Sequence, residues 1–206
     1  MSEIKNMRDI IKQIDEQLSF IYGKKDYGKG VDRSILHPPA IERDIDDFEK
    51  TTGVRFPPSY KAFLTLHNGW EHFWLNMTLI GVTGKHTERV LAEIKETIEW
   101  QTNDLGDVID DFSPSKIAEW EAEDNRHLYL KNHLCFATNF SGELYVFDKN
   151  SLRNDGEMDV VYWDISWGAW ENRHPDFTTL LVSIAEEVSV EFNKCSKAKS
   201  QKKKKK

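Results

Sequence analysis

The densest run of chemistry-bearing residues in this sequence is a string of carboxylates: Asp104, Asp107, Asp110, Asp111, Glu119, Glu121, Glu123 and Asp124. Paired acids can do general acid–base work or hold a metal, but acids are so abundant in this chain that no pair stands apart. Acids near a helix start also gain roughly 0.3–1 kcal/mol each from the helix dipole. The density here exceeds what capping needs, so a docking surface for a cationic protein stands as an alternative beside that local explanation. A second constellation is Trp163-Asp164-Ile165-Ser166-Trp167-Gly168-Ala169-Trp170-Glu171, three indoles on a segment that leaves a strand and crosses to the last helix. Indoles are favoured at binding hot spots because each buries much area and keeps one donor. They serve equally well beneath a helix in the core, and both readings stand. Trp70 and Trp74, flanking Glu71, have the same two readings.

Other chemistries fail on spacing. Gly81-Val-Thr-Gly84-Lys85-His86-Thr87 has a glycine–lysine pair between a strand and a helix, but only two residues separate its glycines. A phosphate loop needs four there and a hydroxyl directly after the lysine. Gly28-Lys29-Gly30 lacks the third glycine and the strand–helix setting of a dinucleotide site. The seven histidines show no His-Glu-x-x-His pattern. There is no Gly-x-Ser-x-Gly elbow, and neither Cys135 nor Cys195 has a nucleophile's context. The expectation is no catalysis, no metal and no cofactor.

The totals agree with a binding protein. At 206 residues the chain suits one domain, and its aromatic content of 12% supplies a substantial core. Two unlike cysteines suit a reducing compartment, and no apolar run approaches the ~18 residues that span a bilayer, so a cytoplasmic protein is expected. Residues 194–206 hold eight of the 28 basic side chains and no acid, which leaves 20 bases against 35 acids in the body, a formal charge of −15. Such a body repels nucleic acid and anionic membranes and attracts basic proteins in a salt-sensitive way. The lysine run from Lys202 to Lys206 reads as a disordered, solvated tail.

Several elements must position these groups. Ile4, Met7, Ile11, Ile14, Leu18 and Ile21 recur at helical spacing after a capping Ser2, with Gly23 as the stop. Pro38-Pro39 leads into a helix carrying Ile41, Ile45 and Phe48, whose acids Glu42, Asp44, Asp46, Asp47 and Glu49 read mainly as a solvated face. Gly53 closes it, Phe56-Pro57-Pro58 turns the chain, and Ser59 is expected to cap a helix that Asn68-Gly69 ends. A strand is expected from Phe73 to Val82, a helix from Thr87 to about Gln101, and another helix after Ser113-Pro114 through Ile117 and Trp120. Three short runs, 133–139, 142–148 and 158–164, read as an antiparallel meander. Asp176 then caps a final helix through Phe177, Leu180, Leu181, Ile184 and Val188, expected to end before the tail. Strands clustered together rather than alternating with helices indicate an α+β fold.

Ile41, Ile45, Phe48-Glu49, Gly53, Phe56-Pro57, Ser59-Tyr60-Lys61, Phe63-Leu64 and Asn68-Gly69, at these spacings, resemble the signature of the SUKH superfamily. That superfamily includes yeast cell-wall-synthesis regulators and bacterial immunity proteins. Phe136-Ala-Thr-Asn139, Ser141-Gly142, Tyr145, Phe147-Asp148, Val160 to Asp164 and the Phe177 helix resemble its later strands and last helix, in the right order. Family members often have leucine before the proline and a further glycine after Asn-Gly, where this chain has Phe56 and Trp70. The resemblance implies helices around one mixed, mostly antiparallel sheet closed by a C-terminal helix. It divides the chain into an extension at 1–40, a domain at 41–192 with a helical insertion at about 87–130, and the tail at 193–206. It also implies binding without catalysis: an immunity protein for a cognate toxin, with nucleases a fitting class, or alternatively a regulatory scaffold of the cell-wall-regulator type.

Overall fold

The structure, a computed structural model, describes residues 2–23, 33–104, 115, 130–164 and 169–203. The apolar stripe of the first helix, α1 (Ser2–Tyr22), is buried from Met7 through Ile11, Ile14 and Leu18 to Ile21, and the chain turns at Gly23. α1 lies along the last helix, α5 (Phe177–Lys203). Gln13 Nε2 donates to Ser189 Oγ at 3.2 Å, Ser189 donates to Gln17 Oε1 at 3.0 Å, and the Phe20 and Phe192 rings meet edge-on at 4.8 Å. The amino-terminal segment therefore shares the core of the rest of the chain.

Helix α2 (Glu42–Thr52) starts after an exposed Ile41 and ends at Gly53, whose left-handed φ of 69° suits a residue without Cβ. Helix α3 (Pro58–Leu66) is not capped by Ser59, contrary to the sequence expectation; Pro57 stands at the cap with no side-chain bond. The reason is that Pro57 and Pro58 have no N–H to cap. The first donor left over is the Ser59 N–H, which a distant carboxylate satisfies. Glu157 Oε1 accepts it at 2.7 Å, Glu157 Oε2 accepts the Ser59 hydroxyl at 2.8 Å, and the Phe177 N–H donates to that hydroxyl at 3.3 Å. One serine thus joins the start of α3, a distant loop and the start of α5.

The described sheet has seven strands, each antiparallel to the next, in chain order: β1 (Ile35–Leu36), β2 (Trp70–Glu71), β3 (Thr78–Leu79), β4 (Leu134–Thr138), β5 (Glu143–Asp148), β6 (Asp159–Asp164) and β7 (Ala169–His174). With the helices this is an α+β fold, closed by α5. The single strand expected from Phe73 to Val82 is replaced by β2, a 3₁₀ turn at Trp74–Asn76 and β3. Phe73, Trp74 and Met77 are all buried by this turn, and the turn holds His72, Leu75 and Asn76 at positive φ. Strand β7 was also not foreseen. Trp170 and Glu171 do not cross loosely to the last helix but pair in register with Trp163 and Tyr162.

Helix α4 spans Lys85–Asp104. The helix expected after Ser113-Pro114 and residues 24–32, with Gly28 and Gly30, lie outside the described residues. Asp176 caps α5 as expected, accepting the Thr179 N–H at 2.7 Å, but α5 runs on to Lys203, past the point where the sequence reading ends it. At the centre of the core, Tyr60 touches Phe56, Phe63, Phe136, Phe147 and Phe177 with ring centroids 4.9–5.5 Å apart. Its hydroxyl donates to Ile80 O at 2.6 Å, and burial raises its pKa well above the usual value.

Candidate functional site

The Asn-Gly bend after α3 works as a clamp. Asn68 Oδ1 accepts the Val82 N–H at 2.7 Å, Asn68 Nδ2 donates to Thr83 O at 3.1 Å and Oγ1 at 2.9 Å, and the Asn68 N–H donates to Pro38 O at 2.9 Å. Gly69 has φ +94°, and a Cβ there would lie 2.9 Å from both Gly81 N and Leu79 O. A Cβ on Gly81 would lie 2.5 Å from Asn68 O. Both positions therefore require glycine, and the connection from α3 to β2 is pressed against the connection from β3 to α4.

Polar side chains seal the clamp. His86 Nε2 donates to Asn68 O at 2.7 Å, which places its proton on that nitrogen. The His86 ring stacks on His37 at 3.6 Å, and His37 Nε2 meets Glu71 Oε1 at 2.9 Å. Arg89 donates to Glu71 Oε2 at 2.7 Å and lies over the Phe140 ring at 4.7 Å. His67 Nδ1 donates to His37 O at 3.1 Å. Burial lowers the pKa of both His67 and His86; for His86 the nearby His37 and Arg89 add to it against the bond to Asn68. These groups are turned on one another, so the network positions backbone and has no nucleophile and base facing a common point.

What the clamp positions is a groove between α2 and α4, about 360 Å³ and widely open to solvent. From α2 it receives Asp44, Asp47, Phe48 and Thr51; from the β3–α4 connection and α4 it receives Gly84, Thr87, Glu88 and Leu91, with Val82 and Thr83 between. Each wall repeats at i, i+3, i+4 and i+7, the spacing of one helix face. Thr87 donates to Thr83 O at 2.9 Å, and Thr83 is held by Asn68, so one wall is fixed by the clamp itself. Asp47 lies 3.5 Å from Arg43 and 3.9 Å from Lys50, while Asp44 and Glu88 form no ion pair among the described residues. The expected solvated face holds for Glu42, Asp46 and Asp47, which are exposed, while Asp44 and Asp47 also share a helix face with the half-buried Phe48.

The residues singled out from sequence have different fates. Trp70 is fully buried, with its indole N–H donating to Ser34 Oγ at 2.5 Å and Ser34 donating to Asp15 at 3.0 Å. Glu71 belongs to the histidine–arginine network. The Trp74 indole donates to Glu187 at 2.7 Å. Trp163 is only 1% exposed, and its indole nitrogen has no hydrogen-bond partner among the described residues. The tryptophans at 70 and 163 thus follow the core reading in the free chain. Asp164 is half-buried and stands directly opposite Glu143 in the β5–β6 register. Asp104 is the last residue of α4, and Trp170 and Glu171 lie on β7. Asp107, Asp110, Asp111, Glu119, Glu121, Glu123, Asp124 and Trp167 lie outside the described residues.

Among the described residues no helix is long and apolar enough to cross a membrane. No curated protein matches the chain. The model of the SMI1/KNR4 family (SUKH-1) matches residues 39–183, a span that runs from just before α2, through the clamp and groove and all the strands after β1, into α5. With most of its length covered in this way, the chain belongs to the SMI1/KNR4 family (SUKH-1).

Proposed function

We propose that this domain is an immunity protein: it binds a cognate basic toxin in the cytoplasm and blocks it without chemistry of its own. The observation that carries this reading is the charge of the body, 20 bases against 35 acids outside residues 194–206. A nuclease must present positive charge to phosphate, so an acidic surface complements the groove that has to be blocked, and occupation of that groove excludes the substrate. Close charge pairs at such interfaces contribute ~1.5–7 kcal/mol of coupling. The inward-turned histidine network supports binding over catalysis, and family membership is compatible with both immunity and regulatory scaffolding.

The test is co-expression with a toxin encoded beside this protein's gene, scored for growth and then for a co-purifying complex. Added salt should slow complex formation, and Asp107→Lys with Asp110→Lys and Asp111→Lys should weaken protection while the protein stays folded. Protection unchanged by these reversals removes that segment from the interface. A partner that binds without any growth phenotype favours the scaffold reading.

A further inference from the structure

We propose that the α2–α4 groove is the docking point for the partner, and that it takes an apolar side chain flanked by lysine or arginine on an exposed segment of a separate protein. This rests on the partner-binding reading above and narrows it to a place and a chemistry. The buried part of the lining is Phe48, Val82 and Thr87, whose hydroxyl already donates to the Thr83 carbonyl, and Leu91 at the rim is 36% exposed. The rim is acidic: Asp44, Asp47 and Glu88 line it with no lysine or arginine among the described lining residues, and of the three only Asp47 has described cations near it, Arg43 at 3.5 Å and Lys50 at 3.9 Å. An apolar anchor ringed by cations satisfies both, because burial of the anchor removes water from around the charge pairs and strengthens them.

Both walls are held before the partner arrives. Gly53 fixes the end of α2, and the Asn68–Thr83–Thr87 chain fixes the start of α4, so little conformational freedom is lost on binding. The lysine run of a second copy has the right charge but no apolar residue from Lys202 to Lys206 to fill the floor. For this reason a separate protein is the occupant.

The experiment uses the full chain and a phage-displayed random peptide library selected at low salt. The expected winners carry one Leu, Ile, Met or Phe between basic residues. Their affinity should fall about tenfold or more in Glu88→Lys and in Leu91→Asn, and stay within about twofold in Glu99→Lys, an exposed position farther along α4. Thermal unfolding of each variant confirms that the fold is kept. The proposal is overturned if selection gives no binder, if the winners are indifferent to Glu88→Lys and Leu91→Asn, or if a synthetic peptide of residues 194–206 binds as tightly as the winners. It is also overturned, with the immunity reading intact, if both variants still bind and neutralise the toxin. Winners that occupy the groove while no basic toxin binds the protein support the groove and refute the immunity reading.

Discussion

The two ends of the sheet are built on different principles. Strands β4, β5 and β6 are five or six residues long, and β5 and β6 pair at six consecutive positions from Glu143↔Asp164 to Asp148↔Asp159. Strands β1, β2 and β3 have two residues each. Two-residue strands hold little by backbone pairing alone, so side chains do that work: Asn68 on Val82 and Thr83, Tyr60 on Ile80, Tyr22 on the Phe73 carbonyl, and Trp70 on Ser34. The meander is a ladder with redundant rungs, whereas the other end is a set of single fastenings. The groove stands on the second kind of structure, so its shape depends on a few buried polar atoms.

That contrast breaks most sharply at the glycines. Gly81→Ala forces a Cβ to 2.5 Å from a backbone oxygen, so it should cost about 3 kcal/mol in urea unfolding, near the top of the overpacking range. Val161→Ala in the meander, a plain loss of packed methyl groups, should cost about 2 kcal/mol. If the order is reversed, the clamp is not as tight as its distances indicate.

Asn68→Ala comes next. It orphans the buried Val82 N–H and should cost roughly 2 kcal/mol. Hydrogen exchange sharpens the comparison: the Val82 amide should lose protection while the β5 amides keep theirs, because opening at the fastened end leaves the ladder closed. Equal loss at both ends would mean that the sheet opens as one unit.

The tryptophans supply a smaller difference. Trp70→Phe removes the donor to Ser34, whereas Trp163→Phe removes an indole nitrogen with no partner among the described residues. Trp70→Phe should therefore cost about 1 kcal/mol more than Trp163→Phe by thermal or urea unfolding.

The smallest effect is that of pH. His67, His86 and His174 are held below the usual 6.5 chiefly by burial, and His133 to about 4, although Asp148 opposes it. Between those values and 6.5 the unfolded chain binds more protons than the folded one, so stability rises with pH there. The histidine contribution is complete above about 6.5 and is lost as pH falls toward 4, the His133 share last. Glu157, whose pKa burial raises, works the other way. Urea midpoints should fall from pH 7 to pH 5; flat midpoints would show that the histidine contribution does not exceed the opposing one of Glu157.

The same division separates what the sequence revealed from what it hid. The meander was legible because β-branched and aromatic runs bounded by turn residues need only their nearest neighbours in sequence to pair. The irregular end was not: Phe73, Trp74 and Met77 look like a strand until Glu187, far along the chain, takes the Trp74 indole. Ser59 misled for a related reason, since its true partner Glu157 is distant and two prolines leave nothing nearby to cap. The α2 acids could be seen, but their use depends on α4 lying across from them.

Sequence by itself determined helices α1 to α5, the meander, the acidic body and the family, because periodicity, turn chemistry and charge are local or additive. Tertiary structure alone decided that Trp70 and Trp163 belong to the core, that Asn68 and two glycines lock two connections together, and that Asp44, Asp47 and Glu88 share one apolar groove. Those outcomes depend on which distant atoms meet in the folded chain, and spacing along the chain does not encode such meetings.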